Sequence, residues 1–392
     1  RRFGPTAQMR AADDSAHATC NTQSRDTTVR QPVSERAIDA LMPLTDETLA
    51  ADPSWRFVPM AVLSHLERDT VNMLQARAFA AHHGLLLIRW RLPLCGANAL
   101  TLDGSEESEL YDHEAAGFWG YFVVGAPGIL NDNLAVALKL ANGTHVTMHS
   151  LTMPEECEGL DELIDGLEEG ATELELPMPP KSINVVPHSL TPEQRKALLR
   201  RGLAWQDVSG EPIVPILLAR ESEAVATTSL WAATEGIPTS LMVRKHAATL
   251  AFALTDYKWQ GKTVARLLIS LRGRRFKPSL SLTSFYTMRT RTRRGADQRT
   301  VGFDPRDEGA RGRRRALRHP AALRIWNGAY DREGRWSDER AAALAAAIVA
   351  SQRGRSSHKR PRPEPAVDTA AAGYAGDVDM NIDPDDGDED MD

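Results

Sequence analysis

The chain has 392 residues, 42% hydrophobic, 26% charged and 6% aromatic, near globular averages and enough to bury a large core or two smaller ones. Its net charge of −6 is segregated: residues 377–392 carry nine acids and no base, residues 151–180 ten acids and no base, and residues 272–360 carry 23 Lys/Arg against 8 Asp/Glu. Cys20, Cys95 and Cys157 are scattered and odd in number, which excludes a disulfide framework or a CxxC metal pair, and no apolar run is long enough for a membrane-spanning helix.

The order of the chain starts with residues 1–36, rich in Ser, Thr, Asp and Arg without periodicity, which read as a disordered lead. The opening Arg1-Arg2-Phe3, without Met, reads as a piece of something longer. Pro59–Leu63 reads as a short strand, and a helix from about Leu66 to His83 follows, its apolar face drawn from Leu66, Val71, Leu74, Ala78 and Ala81 and its end set by Gly84. Leu85–Trp90 reads as a second buried strand, so strand, helix and strand together predict a βαβ unit and a parallel sheet. Between residues 96 and 235 the pattern loosens into a β-rich, acidic insert, with β segments at 121–124, 145–148, 183–186 and 213–218 and one acidic amphipathic helix around Leu160–Leu167. Buried-strand character returns at 250–255 and 266–271. An Arg-rich helical extension is expected over 303–350, with Arg311, Arg313, Arg314 and Arg315 expected from the local positive charge to contact nucleic acid, an alanine-rich helix at Asp338–Ala350, and a low-complexity tail over 351–392. Within that tail Lys359-Arg360-Pro361-Arg362 has the form of a nuclear import signal, and the acidic run after it is expected to stay unfolded.

Gly261-Lys262-Thr263 has the ending of a phosphate-cradling P-loop, but the position that needs a first glycine is Asp256, whose carboxylate repels phosphate. A different pattern covers the same residues. Ala253-Leu254-Thr255-Asp256-Tyr257-Lys258-Trp259-Gln260-Gly261-Lys262-Thr263 resembles the ALTxHKSQGxT signature of Pif-like DNA helicases of superfamily one, including those of Helitron-type transposons, with Tyr257 and Trp259 in place of the family's His and Ser. Residues 281–295, ending Arg289-Thr290-Arg291-Thr292-Arg293-Arg294-Gly295, resemble LxSLYVALSRVRRG; Arg289 stands where the family has an apolar Leu. Gly125–Asn133 and Leu140-Ala141-Asn142-Gly143-Thr144 resemble GAPVMLTEN and LVNGT, and Pro59–Asn72, with Arg68 and Asn72, resembles ILVTSNRERHALN. The four elements stand in family order across roughly residues 37–345.

The resemblance implies an α/β fold: a single RecA-like, P-loop-NTPase-type motor domain, the second of the usual pair, spanning 37–302 around the insert. It implies Arg291 as a catalytic arginine finger, Gln260, Gly261 and Thr290 as nucleotide-sensing residues, and Thr255, Lys258, Thr263, Arg293 and Arg294 as nucleic-acid contacts. The intact family uses ATP and Mg2+, but no GxxxxGK[ST] follows any strand and no apolar run ending in Asp-Glu precedes the matched region, so neither is expected to bind tightly to this chain alone. The expected partners are single-stranded DNA and a separate chain carrying the first motor domain, with no membrane. Two further readings stay open: a non-catalytic nucleic-acid or chromatin-binding protein built on a helicase remnant, and a non-functional relic of a mobile element. His145 and His149 are four apart, but no third ligand lies near them in sequence, so no metal site is expected.

Overall fold

The computed structural model describes residues 11–356 except 12, 27–30, 114–115, 158, 273–279, 321–323, 326–327 and 330–334; the basic cluster 359–362 and the acidic run 377–392 lie outside them. The architecture is α/β. Its organising layer is a four-stranded, wholly parallel sheet in the order Ala253–Thr255, Met60–Val62, Leu267–Ser270, Gln298–Val301. Residues alternate between its faces. Met60 and Val62 pack with Trp55, Ala253 and Leu268 on one side, while Ala61 joins Leu254, Ile269, Phe285 and Met288 on the other. The first three strands are buried throughout and read as largely apolar runs, while Gln298–Val301, at the sheet edge, is polar and only half buried at Arg299 and Val301.

The helix His65–His83 begins at Ser64, whose hydroxyl accepts from the Glu67 amide, and ends at Gly84, which takes the left-handed conformation at φ +64. Its buried face is not the expected one. Asn72, Ala76 and Ala80 are buried, whereas Leu66 and Leu74 are exposed. Small alanines let the helix lie close to the sheet, and Asn72 closes the sheet edge: its Nδ2 donates to the Ala253 carbonyl at 3.3 Å and its Oδ1 accepts from the Ala253 amide at 2.8 Å. Replacing Asn72 with alanine leaves both buried backbone groups unsatisfied, and a loss of about 1–3 kcal/mol is expected in urea unfolding.

The predicted βαβ unit does not form. Leu87–Arg91 pairs antiparallel with Trp119–Phe122 and parallel with Glu173–Leu176, in a sheet of its own. Met60–Val62 already has a parallel neighbour on each side, so no edge is left for it. The strand also carries Arg89 and Arg91, which pair with Glu175 at 2.8 and 3.3 Å on a half-exposed face. Gly120 sits opposite Trp90, where a Cβ would come within 2.1 Å of the indole. The rest of the insert comprises a six-stranded antiparallel sheet ordered 248–250, 127–130, 145–152, 182–187, 212–217, 205–206, with an irregularity between Met148 and Ser150, and a three-stranded antiparallel sheet ordered 223–226, 240–243, 94–95. The expected strand at 250–255 is therefore two strands, Ala248–Leu250 in the insert and Ala253–Thr255 in the parallel sheet, so the chain crosses between sheets there.

Two expectations about the flanks are corrected. Ser15–Arg25 and Glu35–Asp39 are helices, not disordered. His17, Cys20, Asn21 and Ser24 form a buried stripe at helical spacing, and Asp14 accepts from the Gly295 amide at 3.0 Å. In the Arg-rich extension, Glu308–Arg315 folds back on this lead. Arg311 pairs with Glu35 at 2.6 Å and Asp39 at 2.8 Å, Arg315 pairs with Glu35 at 2.8 Å, and Arg314, buried, donates to the Leu271 carbonyl. Burial, then Arg313, lowers the Arg314 guanidinium to about 10. Three arginines that composition alone assigns to a ligand are thus occupied in holding the fold together.

Candidate nucleic-acid interface

The strand Ala253–Thr255 delivers its carboxyl end directly into the 3-10 turn Asp256–Trp259, followed by Gly261 at φ +76, a left-handed conformation that suits glycine. Carboxyl ends of parallel strands are where open α/β sheets place ligands. Asp256 turns inward, its Oδ1 accepting from the Tyr257 amide, so the turn is closed by a carboxylate rather than opened as a phosphate cradle. Trp259 is wholly buried, and its Nε1 donates to the Leu254 carbonyl at 3.2 Å.

Arg291 fastens this loop from below. Its Nη1 donates to the Trp259 carbonyl at 2.9 Å and the Lys262 carbonyl at 3.4 Å, its Nη2 to the Thr290 hydroxyl at 2.6 Å, and its own carbonyl accepts from the Val264 amide at 3.0 Å. Arg291 is 8% exposed and Thr290 5%. The side chain expected to project across a cleft as a finger is therefore turned into the chain's own backbone. Thr290, expected to sense nucleotide, donates to the Tyr286 and Thr287 carbonyls and holds Arg291. Arg289, which stands for an apolar residue, is buried at 3% exposure and donates to the Ala37 carbonyl at 2.7 Å, tying helix Leu282–Arg289 to the lead.

Of the expected nucleic-acid contacts, Thr255 is buried at the strand end, while Thr263, Arg293 and Arg294 are exposed, with Arg294 forked onto Asp297 at 3.1 Å. Gln260 and Gly261 are exposed at the loop tip. Lys258 reaches across to the insert and donates to the Asn142 side-chain carbonyl. Lys262 follows it, its Nζ 2.9 Å from the Gly143 carbonyl and 2.9 Å from His145 Nε2. Burial, and then Lys258, brings Lys262 down to about 8; burial, then Lys262 and His188, brings His145 down to about 4. Lys258 is lowered as well, by burial and then by Arg68, against the pull of Asp132.

The structure thus brings together three of the four sequence elements: the loop 253–263, the turn 140–144 and Arg291. The fourth supplies Arg68 beside Lys258, and Asn72. Lys262 and His145 were not recognised as partners in the sequence, because Lys262 was weighed only as part of a P-loop and His145 only as a metal ligand. His149 leads elsewhere, to Ser150 at 3.0 Å. Triphosphate and Mg2+ do not fit the residues present: the loop amides do not form a cradle, Arg291 is bound to backbone, and among the described residues no group of three His, Cys, Asp or Glu side chains gathers.

The chain is thus a mixed α/β protein with a parallel sheet and a basic loop at the carboxyl end of one of its strands. No protein-family model matches the chain, and no curated protein matches it. Solved structures to which it is similar are Pif1 helicases. The Pif1 helicase of Candida albicans is 14% identical, with 81% of this chain and 58% of that one covered and a TM-score of 0.42. The Bacteroides Pif1 helicase in complex with ADP-AlF3 and single-stranded DNA is 13% identical, with 83% and 56% covered and a TM-score of 0.41. The chain spans a little over half the length of these structures.

Proposed function

We propose that this chain is a single-stranded-DNA-contacting protein of Pif-like, mobile-element descent, corresponding to the nucleotide-sensing half of an ATP-driven 5'-3' helicase. One observation carries the reading: loop 253–263, turn 140–144 and Arg291 converge at the carboxyl edge of the parallel sheet, with Lys258, Lys262 and Arg68 beside them and Arg293 exposed two residues beyond Arg291. Lysines and an arginine gathered at one sheet edge suit a sequence-blind phosphate backbone.

The test is anisotropy with labelled (dT)12 across a salt series. Arg293→Ser and Lys258→Ser are each expected to lower the slope of log affinity against log salt by roughly 0.7, the value for one single-strand phosphate contact. The pair Arg311→Ser, Arg315→Ser is expected to leave the slope unchanged and lower the melting temperature, because those side chains are bound to Glu35, Asp39 and Glu308. No affinity for (dT)12, or slopes indifferent to Arg293 and Lys258, defeats the proposal.

The inward binding of Arg291 favours a second reading, a non-catalytic nucleic-acid-binding protein built on the same scaffold. DNA-stimulated ATP turnover by the purified chain, lost in Arg291→Ala while the fold survives, decides for the motor.

A further inference from the structure

Lys258, Lys262, His145 and His188 form a patch of four bases between the sheet-edge loop and the insert. Each of the close contacts within it is to a neutral acceptor: the Asn142 amide oxygen, the Gly143 carbonyl and the His145 ring nitrogen. Among the described residues neither lysine makes an ion pair. Asp132 alone acts on Lys258 as an opposing charge, and Arg68, which adds to the repulsion, has its own partner in Asp69 at 2.7 Å. His188 is bonded to the Thr147 hydroxyl at 2.8 Å and acts on His145. While Lys262 is an ammonium it can only donate, so His145 Nε2 is then the acceptor of their contact. Half-buried ammonium groups with no anion to neutralise them are costly, and an arriving anion relieves them. Gly143 takes φ +90, a backbone conformation that suits glycine, and its carbonyl faces the Lys262 ammonium.

We propose that Lys262, with Lys258 and His145, forms a phosphate site bridging the loop and the insert turn, and that protonation of Lys262 sets its affinity. This rests on the nucleic-acid reading for the source of the phosphate, taken to be a backbone phosphodiester. It goes further in assigning a residue outside the resembling positions and a linkage to pH. The direction follows from the lowered basicity of Lys262. In the free chain the ammonium loses its proton as pH passes about 8. A bound phosphate returns it toward the ordinary lysine value, so binding takes up a proton and weakens as pH rises.

The experiment measures (dT)12 affinity by calorimetry at pH 7 and pH 9 and fixed salt, for the intact chain and for Lys262→Arg and Lys262→Met. The intact chain is expected to bind roughly tenfold more weakly at pH 9, with proton uptake at pH 8 visible as a dependence on buffer ionisation enthalpy. Lys262→Arg, charged throughout, is expected to bind at pH 7 nearly as well and to lose both the pH dependence and the proton uptake. Lys262→Met is expected to bind weakly and flatly, with thermal melting checking that it folds. Equal pH slopes in the intact chain and Lys262→Arg overturn the proposal while leaving DNA binding intact. Inorganic phosphate is titrated in parallel. A Lys262-dependent response to it alone keeps the site but assigns it to a free phosphate and defeats the DNA reading, and silence toward both titrants defeats both.

Discussion

Trp259→Ala is expected to lower unfolding stability by about 3–5 kcal/mol, the range for deleting a large buried aromatic, and to abolish (dT)12 binding at concentrations where the intact chain saturates. Trp259 is wholly buried among Leu254, Ile269, Phe285 and Met288, and its indole nitrogen closes on the Leu254 carbonyl. It is the floor on which Lys258 and Lys262 stand, one on each side of it in sequence. Trp259→Phe keeps most of the apolar contact and loses the hydrogen bond, so a loss nearer 1–2 kcal/mol is expected, with binding retained. Chemical denaturation of both variants beside the intact chain checks the order. A Trp259→Ala chain that binds DNA normally shows that the loop is ordered by something else.

The second large effect is at Arg291. Its removal strips donors from the Trp259 and Lys262 carbonyls and leaves Thr290 without its neighbour, so Arg291→Ala is expected to cost about 2–4 kcal/mol and to weaken DNA binding through a loosened loop. Arg291→Lys is expected to recover little, since one ammonium cannot span two carbonyls and a hydroxyl as the planar fork does. A finger gives the opposite signature: unchanged stability and lost turnover. Thermal melting of Arg291→Ala separates the two, and an unchanged melting temperature would show that the inward bonds carry no weight.

Much of the parallel sheet was legible because three of its strands are buried and read as apolar runs, whereas Gln298–Val301 is too polar to stand out, and Gly84 marks the helix end in plain sequence. The partner of Leu87–Arg91 was not, because pairing depends on which edges are free, and the competing strands lie far along the chain. The Ser15–Arg25 helix was missed because its buried stripe consists of His, Cys, Asn and Ser, which a hydropathy reading scores as polar. Arg311 and Arg315 were misread for the converse reason: charge counting registers arginines but not the acids that meet them from about 270 residues away, and Arg314 is held by the Leu271 carbonyl. At the site, the resemblance located the loop and the Asn142-Gly143 turn separately. That they touch through Lys258 and Lys262 is a tertiary fact with no local signature.

The central position of Met60–Val62 bears on how the chain is made. Its two neighbours, Ala253–Thr255 and Leu267–Ser270, come late, and Asn72 waits 181 residues for the backbone of Ala253. At about 5–20 residues per second on a ribosome, the strand and its helix stand exposed for roughly 10–35 s before any sheet partner exists. The insert, whose strands pair mostly with near neighbours, can fold in that interval. The parallel sheet then closes around a strand synthesised long before, bringing Ser15–Arg25 against Leu282–Arg289 and Glu35–Asp39 against Glu308–Arg315 only at the end.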